Sequence, residues 1–88
     1  MSAQHEQPIV MYSTTWCGDC RRAKRVFAEL GVPFQEIDIE RDPAAAARVV
    51  QLNGGARSVP TIVFPDGSVL VEPSNAKLEA KLAATVTR

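Results

Sequence analysis

The sequence predicts a small α/β domain in which a four-stranded mixed sheet carries three helices, in the order β-α-β-α-β-β-α. Three observations predict it. Short apolar runs rich in β-branched residues alternate with amphipathic stretches along most of the chain. Gly or Pro follows the first two amphipathic stretches and stops them. A Pro-Asp-Gly turn joins the last two apolar runs. At 88 residues, the chain makes one domain, residues 1–88, with no internal repeat and no linker.

The elements follow in order. Pro8-Ile9-Val10-Met11-Tyr12 reads as a buried strand, with Met11 in the core. Gly18 to Leu30 reads as a helix whose apolar positions Ala23, Val26, Phe27 and Leu30 keep the i, i+3, i+4, i+7 spacing. Gly31 and Pro33 end it. Phe34 to Ile39 alternates imperfectly, which suits an edge strand. Asp42 caps and Pro43 opens a second helix that runs to Leu52 and stops at Asn53-Gly54-Gly55, a segment to which no further role is given. Thr61–Phe64 and Ser68–Val71 form a hairpin around Pro65-Asp66-Gly67. Ser74 caps a last helix that buries Leu78, Leu82 and Val86. The first βαβ unit is expected to be parallel and right-handed and the hairpin antiparallel, which together make a minimal thioredoxin fold.

Composition excludes several classes. Lys+Arg and Asp+Glu number 10 each, so the chain lacks the basic footprint of a nucleic-acid binder. Met1 to Gln7 has neither the basic nor the apolar region of a secretory signal, and no apolar run approaches the ~20 residues that span a bilayer. The expected setting is the cytoplasm, with no membrane or nucleic-acid partner. Two cysteines three positions apart close too small a loop to staple a fold, and in a reducing compartment such a pair is catalytic or metal-binding.

Trp16-Cys17-Gly18-Asp19-Cys20 sits where the first strand meets the first helix. Cys17 at the helix start meets free backbone N–H groups and the positive end of the helix dipole, which favour an anion such as a thiolate. An unperturbed thiol, with a pKa of ~8.5, is only a few per cent ionised at pH 7. Cys20 lies on the same helical face and continues the stripe of Ala23 and Phe27. Cys17 is therefore expected to be exposed as the attacking sulfur, and Cys20 partly buried as the resolving one. Gly18 leaves room for a substrate to approach the backbone. The charge of Asp19 opposes a thiolate while suiting a helix N-terminus, and its role stays open. A zinc site within one chain would need four ligands, and His5 is the only other soft candidate, so no metal is expected.

These residues resemble glutaredoxins over about residues 8 to 86. The resemblance rests on Tyr12 to Cys20, on Ser58-Val59-Pro60-Thr61 and on Val71 to Asn75. Within that superfamily the chain is most similar to the actinobacterial mycoredoxins, through Trp-Cys-Gly-x-Cys, Asn53 to Thr61, Asp66-Gly67-Ser68 and Pro73-Ser74. The resemblance implies a thioredoxin/glutaredoxin fold, with Cys17 as nucleophile and Cys20 as resolving thiol. It implies a cis Pro60 facing the cysteines, with the backbone of Val59 offered to the substrate's cysteinyl part. No bound cofactor is implied. Mycothiol, a neutral sugar-linked cysteine thiol, is implied as co-substrate.

The chain departs from glutathione-binding glutaredoxins at two places. Gly18-Asp19 stands where they carry Pro-Tyr, and Val71-Glu72-Pro73-Ser74-Asn75 where they carry Gly-Gly and an acidic residue. Glutathione has two carboxylates, and a site with Glu72 and no Gly-Gly suits such an anion poorly.

The remaining candidates each have two readings. Trp16 is a docking platform for protein partners or a shield over the motif. Tyr12 serves the site or packs in its strand, and the family position favours the site. Arg57 contacts the thiol ligand or is an ordinary loop arginine. Ser74 and Asn75 are placed with the substrate by resemblance. Arg21, Arg22, Lys24 and Arg25 steer anions or form a solvated helix face. The expected activity is reduction of mixed disulfides between proteins and a low-molecular-weight thiol, by a monomer whose partners are those proteins, the thiol and its reductase. Three alternatives remain: reduction by thioredoxin reductase, use of glutathione, and a dimeric module holding an iron–sulfur cluster.

Overall fold

The computed structural model describes residues 8–86. His5 and the polar start of the chain lie outside the described residues. The elements are β1 (Val10–Ser13), α1 (Gly18–Leu30), β2 (Gln35–Asp38), α2 (Pro43–Leu52), β3 (Thr61–Val63), β4 (Val69–Val71) and α3 (Asn75–Val86). Every predicted element is present. The helices match closely, whereas the strands are trimmed or shifted by one or two residues. Strand ends are set by pairing, and pairing partners are not visible in a local sequence pattern.

The four strands form one mixed sheet in the order β2-β1-β3-β4. β1 pairs parallel with β2, Val10 opposite Gln35, and antiparallel with β3, Met11 opposite Ile62. β3 pairs antiparallel with β4, Ile62 opposite Leu70. The irregular strand is indeed on an edge. Its exposed Gln35 and Glu36 and half-buried Ile37 and Asp38 explain the weak alternation.

Alternation along the inner strands divides the apolar residues between two faces. Met11 and Ile62 join Ala23, Val26 and Phe27 of α1 and Leu78 and Leu82 of α3 in the main core. Tyr12 packs on the other face with Ile39, Ala45 and Val49 beneath α2. Phe27 is fully buried and stacks on Phe34, ring centroids 4.3 Å apart.

Capping follows the sequence signals. Asp42 accepts the Ala45 N–H at 3.1 Å, and Ser74 Oγ accepts the Lys77 N–H at 3.1 Å. Gly31 adopts φ +66°, and the Val32 N–H reaches the Phe27 carbonyl at 3.0 Å, which closes α1. Here one expectation fails: Leu30 is 48% exposed. The reversal at Gly31 folds Val32 back, and Val32 rather than Leu30 joins the main core. The side chain of Val86 lies outside the described residues, whereas Leu78 and Leu82 are buried as predicted.

Candidate active site

β1 ends at Ser13, and the chain turns through Thr14 and Thr15 into α1, with the Cys17 N–H bonded to the Thr14 carbonyl at 3.4 Å. Cys17 is the N-cap of α1. Its Sγ accepts the Cys20 N–H at 3.0 Å, the place that a Ser or Asp oxygen takes in an ordinary cap. The donor N–H and the positive end of the helix dipole are both oriented toward this sulfur.

The second wall comes from the segment before β3. The Val59–Pro60 peptide bond is cis, as the resemblance implied, and the Cys17 thiol points at the Val59 carbonyl at 3.8 Å. Pro60 is buried. Its carbonyl accepts the Glu72 N–H at 2.8 Å, which ties this segment to the stretch leading into α3.

Both thiols are free. Cys20 is 1% exposed and Cys17 only 7%, which corrects the expectation of an exposed Cys17. The order of exposure is as predicted. The cause of the burial is that Cys17 sits in the floor between the helix start and Val59, packed with the main core. Burial pushes the Cys20 thiol up to about 12, with its hydrogen bond to Cys17 adding to the effect. Cys20 is thus held protonated behind Cys17.

The other candidates surround this pair. Gly18 is exposed, and a methyl group there would meet no atom within 4 Å. Trp16 is 66% exposed, and its indole N–H donates to Glu40 at 3.1 Å, so it is no buried shield. Tyr12 packs in the smaller apolar cluster, which Val59 also touches. Arg57 is exposed and lines an open groove of 620 Å³ with Ile39, Glu40, Pro43, Ala46, Ala47 and Val50. Neither cysteine lines that groove; it connects to the motif through Glu40, the partner of Trp16. Ser74 and Asn75 are exposed at the start of α3. Asn75 Oδ1 accepts from Arg22 Nε at 3.3 Å, so α1 and the start of α3 are in direct contact beside the motif.

The cationic cluster is largely engaged. Arg22 pairs with Asp19 at 3.0 Å, Lys24 with Glu36 at 3.2 Å, and Arg21 donates to the Thr15 carbonyl at 3.3 Å. Two residues near the site go beyond what the sequence pattern shows. Asn53 does more than end a helix. Its amide reaches the Val49 carbonyl at 3.0 Å and Thr61 Oγ1 at 3.1 Å, while Thr61 Oγ1 donates to the Ser58 carbonyl at 2.7 Å. This chain of bonds holds the loop that carries Val59 and Pro60. Thr14 is 6% exposed, its carbonyl accepts the Cys17 N–H, and its buried hydroxyl has no partner. Neither feature leaves a local signal, because one depends on contacts between separate segments and the other on burial. Among the described residues no group of three or more His, Cys, Asp or Glu side chains is placed to hold a metal, and no helix is long and apolar enough to cross a membrane.

Comparison with known proteins agrees with this geometry. The family model for glutaredoxin matches residues 9–70. A Mycobacterium tuberculosis protein named as a glutaredoxin is 45% identical over 74 residues, 84% of this chain and 88% of that protein. Mycoredoxin 1 of Corynebacterium glutamicum is 33% identical over 76 residues, 86% of this chain and 94% of that one. Among solved structures, a buckwheat glutaredoxin in complex with glutathione superposes with a TM-score of 0.72 at 30% identity, covering 97% of this chain and 84% of the other.

Proposed function

Since the chain belongs to the glutaredoxin family and is a glutaredoxin-like thiol–disulfide oxidoreductase, we propose that it reduces mixed disulfides between proteins and mycothiol, with Cys17 as the nucleophile. One observation carries the assignment of roles: Cys17 Sγ accepts the Cys20 N–H at 3.0 Å at the start of α1 and faces the Val59 carbonyl at 3.8 Å, while Cys20 is shut in behind it. In the first step the Cys17 thiolate attacks the small-thiol sulfur of the mixed disulfide. The protein thiolate leaves and takes a proton, and Cys17 carries the small thiol as a new disulfide. In the second step the thiolate of another small-thiol molecule attacks that small thiol's sulfur and frees Cys17. Cys20 can replace it by attacking Cys17 Sγ, with the small thiol leaving. That branch is the slower one, because Cys20 must first lose a proton that burial holds tightly. Val59 and Pro60 position the disulfide; Gly18, Ser74 and Asn75 leave and line space for the small thiol, with Tyr12 and Arg57 as its further contacts; Trp16 forms the rim toward the protein substrate.

Mycothiol is favoured over glutathione by the mycoredoxin relative and by Glu72, an acidic residue in the segment that leads to Ser74. The setting is a reducing cytoplasm, and the working unit is one chain folded as one domain. The test is reduction of a defined mixed disulfide in three coupled systems: mycothiol with its reductase, glutathione with its reductase, and thioredoxin reductase alone. Mycothiol is expected to give the highest kcat/KM, and a higher value in either other system overturns the choice of donor. In the same assay Cys17→Ser lowers turnover on the order of 10³-fold or more, whereas Cys20→Ser retains it. Loss of turnover in Cys20→Ser would exclude the route through a second small thiol.

A further inference from the structure

Asp19, between the two cysteines, has no part in the exchange steps above, yet its carboxylate has a partner. Its carboxylate pairs with Arg22 Nη2 at 3.0 Å, and Arg22 Nε donates to Asn75 Oδ1 at 3.3 Å. Asp19, Arg22 and Asn75 thus form one chain of contacts from the first turn of the redox helix to the first residue of α3. The start of α3 has backbone N–H groups unused by the helix, and an arginine touches it. Those two features together attract carboxylates and phosphates. Here the guanidinium is already matched to an acid of its own helix. Glu72, exposed three residues before Asn75, adds a second carboxylate to the same end of the molecule. Other cations do not offset this: Arg21 is turned to the Thr15 carbonyl, and Lys77 lies two positions beyond Asn75, on a different side of α3.

We propose that Asp19 is a specificity-determining residue that selects against carboxylate-bearing small thiols by occupying Arg22, the cation that touches the start of α3. A neutral, hydroxyl-rich thiol needs no counter-ion there and is unaffected. A thiol with a free carboxylate must either displace Asp19 from Arg22 or approach a local excess of negative charge. This inference rests on the reading that a small thiol on Cys17 extends toward Ser74 and Asn75.

The experiment compares two mixed disulfides of one peptide, one with glutathione and one with the uncharged thiol 2-mercaptoethanol, by single-turnover kinetics in the full-length chain. Asp19→Asn keeps the side-chain size and removes the charge. It is expected to raise the ratio of glutathione to 2-mercaptoethanol rate constants about 3- to 10-fold at low salt, and the gain is expected to vanish near 1 M salt. Asp19→Glu should keep the wild-type ratio. Adding Arg22→Gln to Asp19→Asn should abolish the gain, because the freed cation is then absent. An unchanged ratio in Asp19→Asn overturns the proposal. So does an equal rise for both disulfides, which would mark a general effect on the nucleophile, and so does a gain that survives loss of Arg22. The wild-type choice among thiol donors is read separately in the coupled assay, so mycothiol dependence can fail while the shift in ratio holds, and the reverse.

Discussion

Cys20 shows how one residue serves both the core and the chemistry. It is 1% exposed, belongs to the main apolar cluster, and gives its backbone N–H to Cys17 Sγ. Burial raises its thiol from 9.0 to about 12, so the fold prefers the protonated form. This contribution to stability is complete below about pH 9, the value for an unfolded chain, and is lost as pH rises toward 12. The denaturant midpoint of the reduced protein is expected to fall more steeply over pH 9–12 than that of Cys20→Ser. Parallel curves for the two proteins would contradict the assigned burial. The two-residue spacing and the strand-to-helix junction made the placement of Cys17 and Cys20 at the start of α1 legible in sequence. The depth of Cys17 was not, because the Val59 carbonyl that covers it comes from a segment 42 residues away.

Helix ends carry most of the positioning. The signals that predicted α1 and α2 were local: a capping Asp42, Pro43 at the first position, Gly31 after the last. Such signals read well because donor, acceptor and dihedral preference lie within four residues of one another. Asn53 shows the limit. Its sequence context marks a helix end, and its side chain also bridges Val49 to Thr61, whose hydroxyl holds the Ser58 carbonyl. Asn53→Ala removes both amide bonds and leaves the buried Thr61 hydroxyl with one partner fewer. It is expected to cost about 1–2 kcal/mol in urea unfolding. It is also expected to lower kcat/KM for mixed disulfides by loosening the Val59–Pro60 loop, and Asn53→Asp should fare no better, because a carboxylate cannot donate to the Val49 carbonyl or to Thr61 Oγ1. Unchanged kcat/KM in Asn53→Ala would show that the loop holds its shape without this tether. The ends of the strands were less legible than those of the helices, since a strand of three or four residues ends where its neighbour ends.

At the scale of the molecule, the main core joins β1, β3, α1 and α3, and the site is built on its upper edge. Phe27 lies at the centre of that core, fully buried and stacked on Phe34. Phe27→Ala is expected to cost about 3–5 kcal/mol. A domain of this size has a total stability of roughly 5–10 kcal/mol, so the variant should be marginally folded, with a melting temperature lower by more than about 10 °C in calorimetry. A loss below about 1 kcal/mol would mean that the core repacks around the cavity. The strand order β2-β1-β3-β4 has one more consequence. The inner pair delivers the reacting groups: β1 runs into Cys17, and β3 follows Pro60. The outer pair leads to the margins: β2 runs on to Glu40 beneath Trp16, and β4 runs on to Glu72, Ser74 and Asn75. On the proposed assignment, bond-breaking is rooted in the two inner strands, and recognition hangs from the two at the sheet edges. On that assignment, substitutions at the periphery would change which thiol or protein is accepted and leave the sulfur chemistry in place.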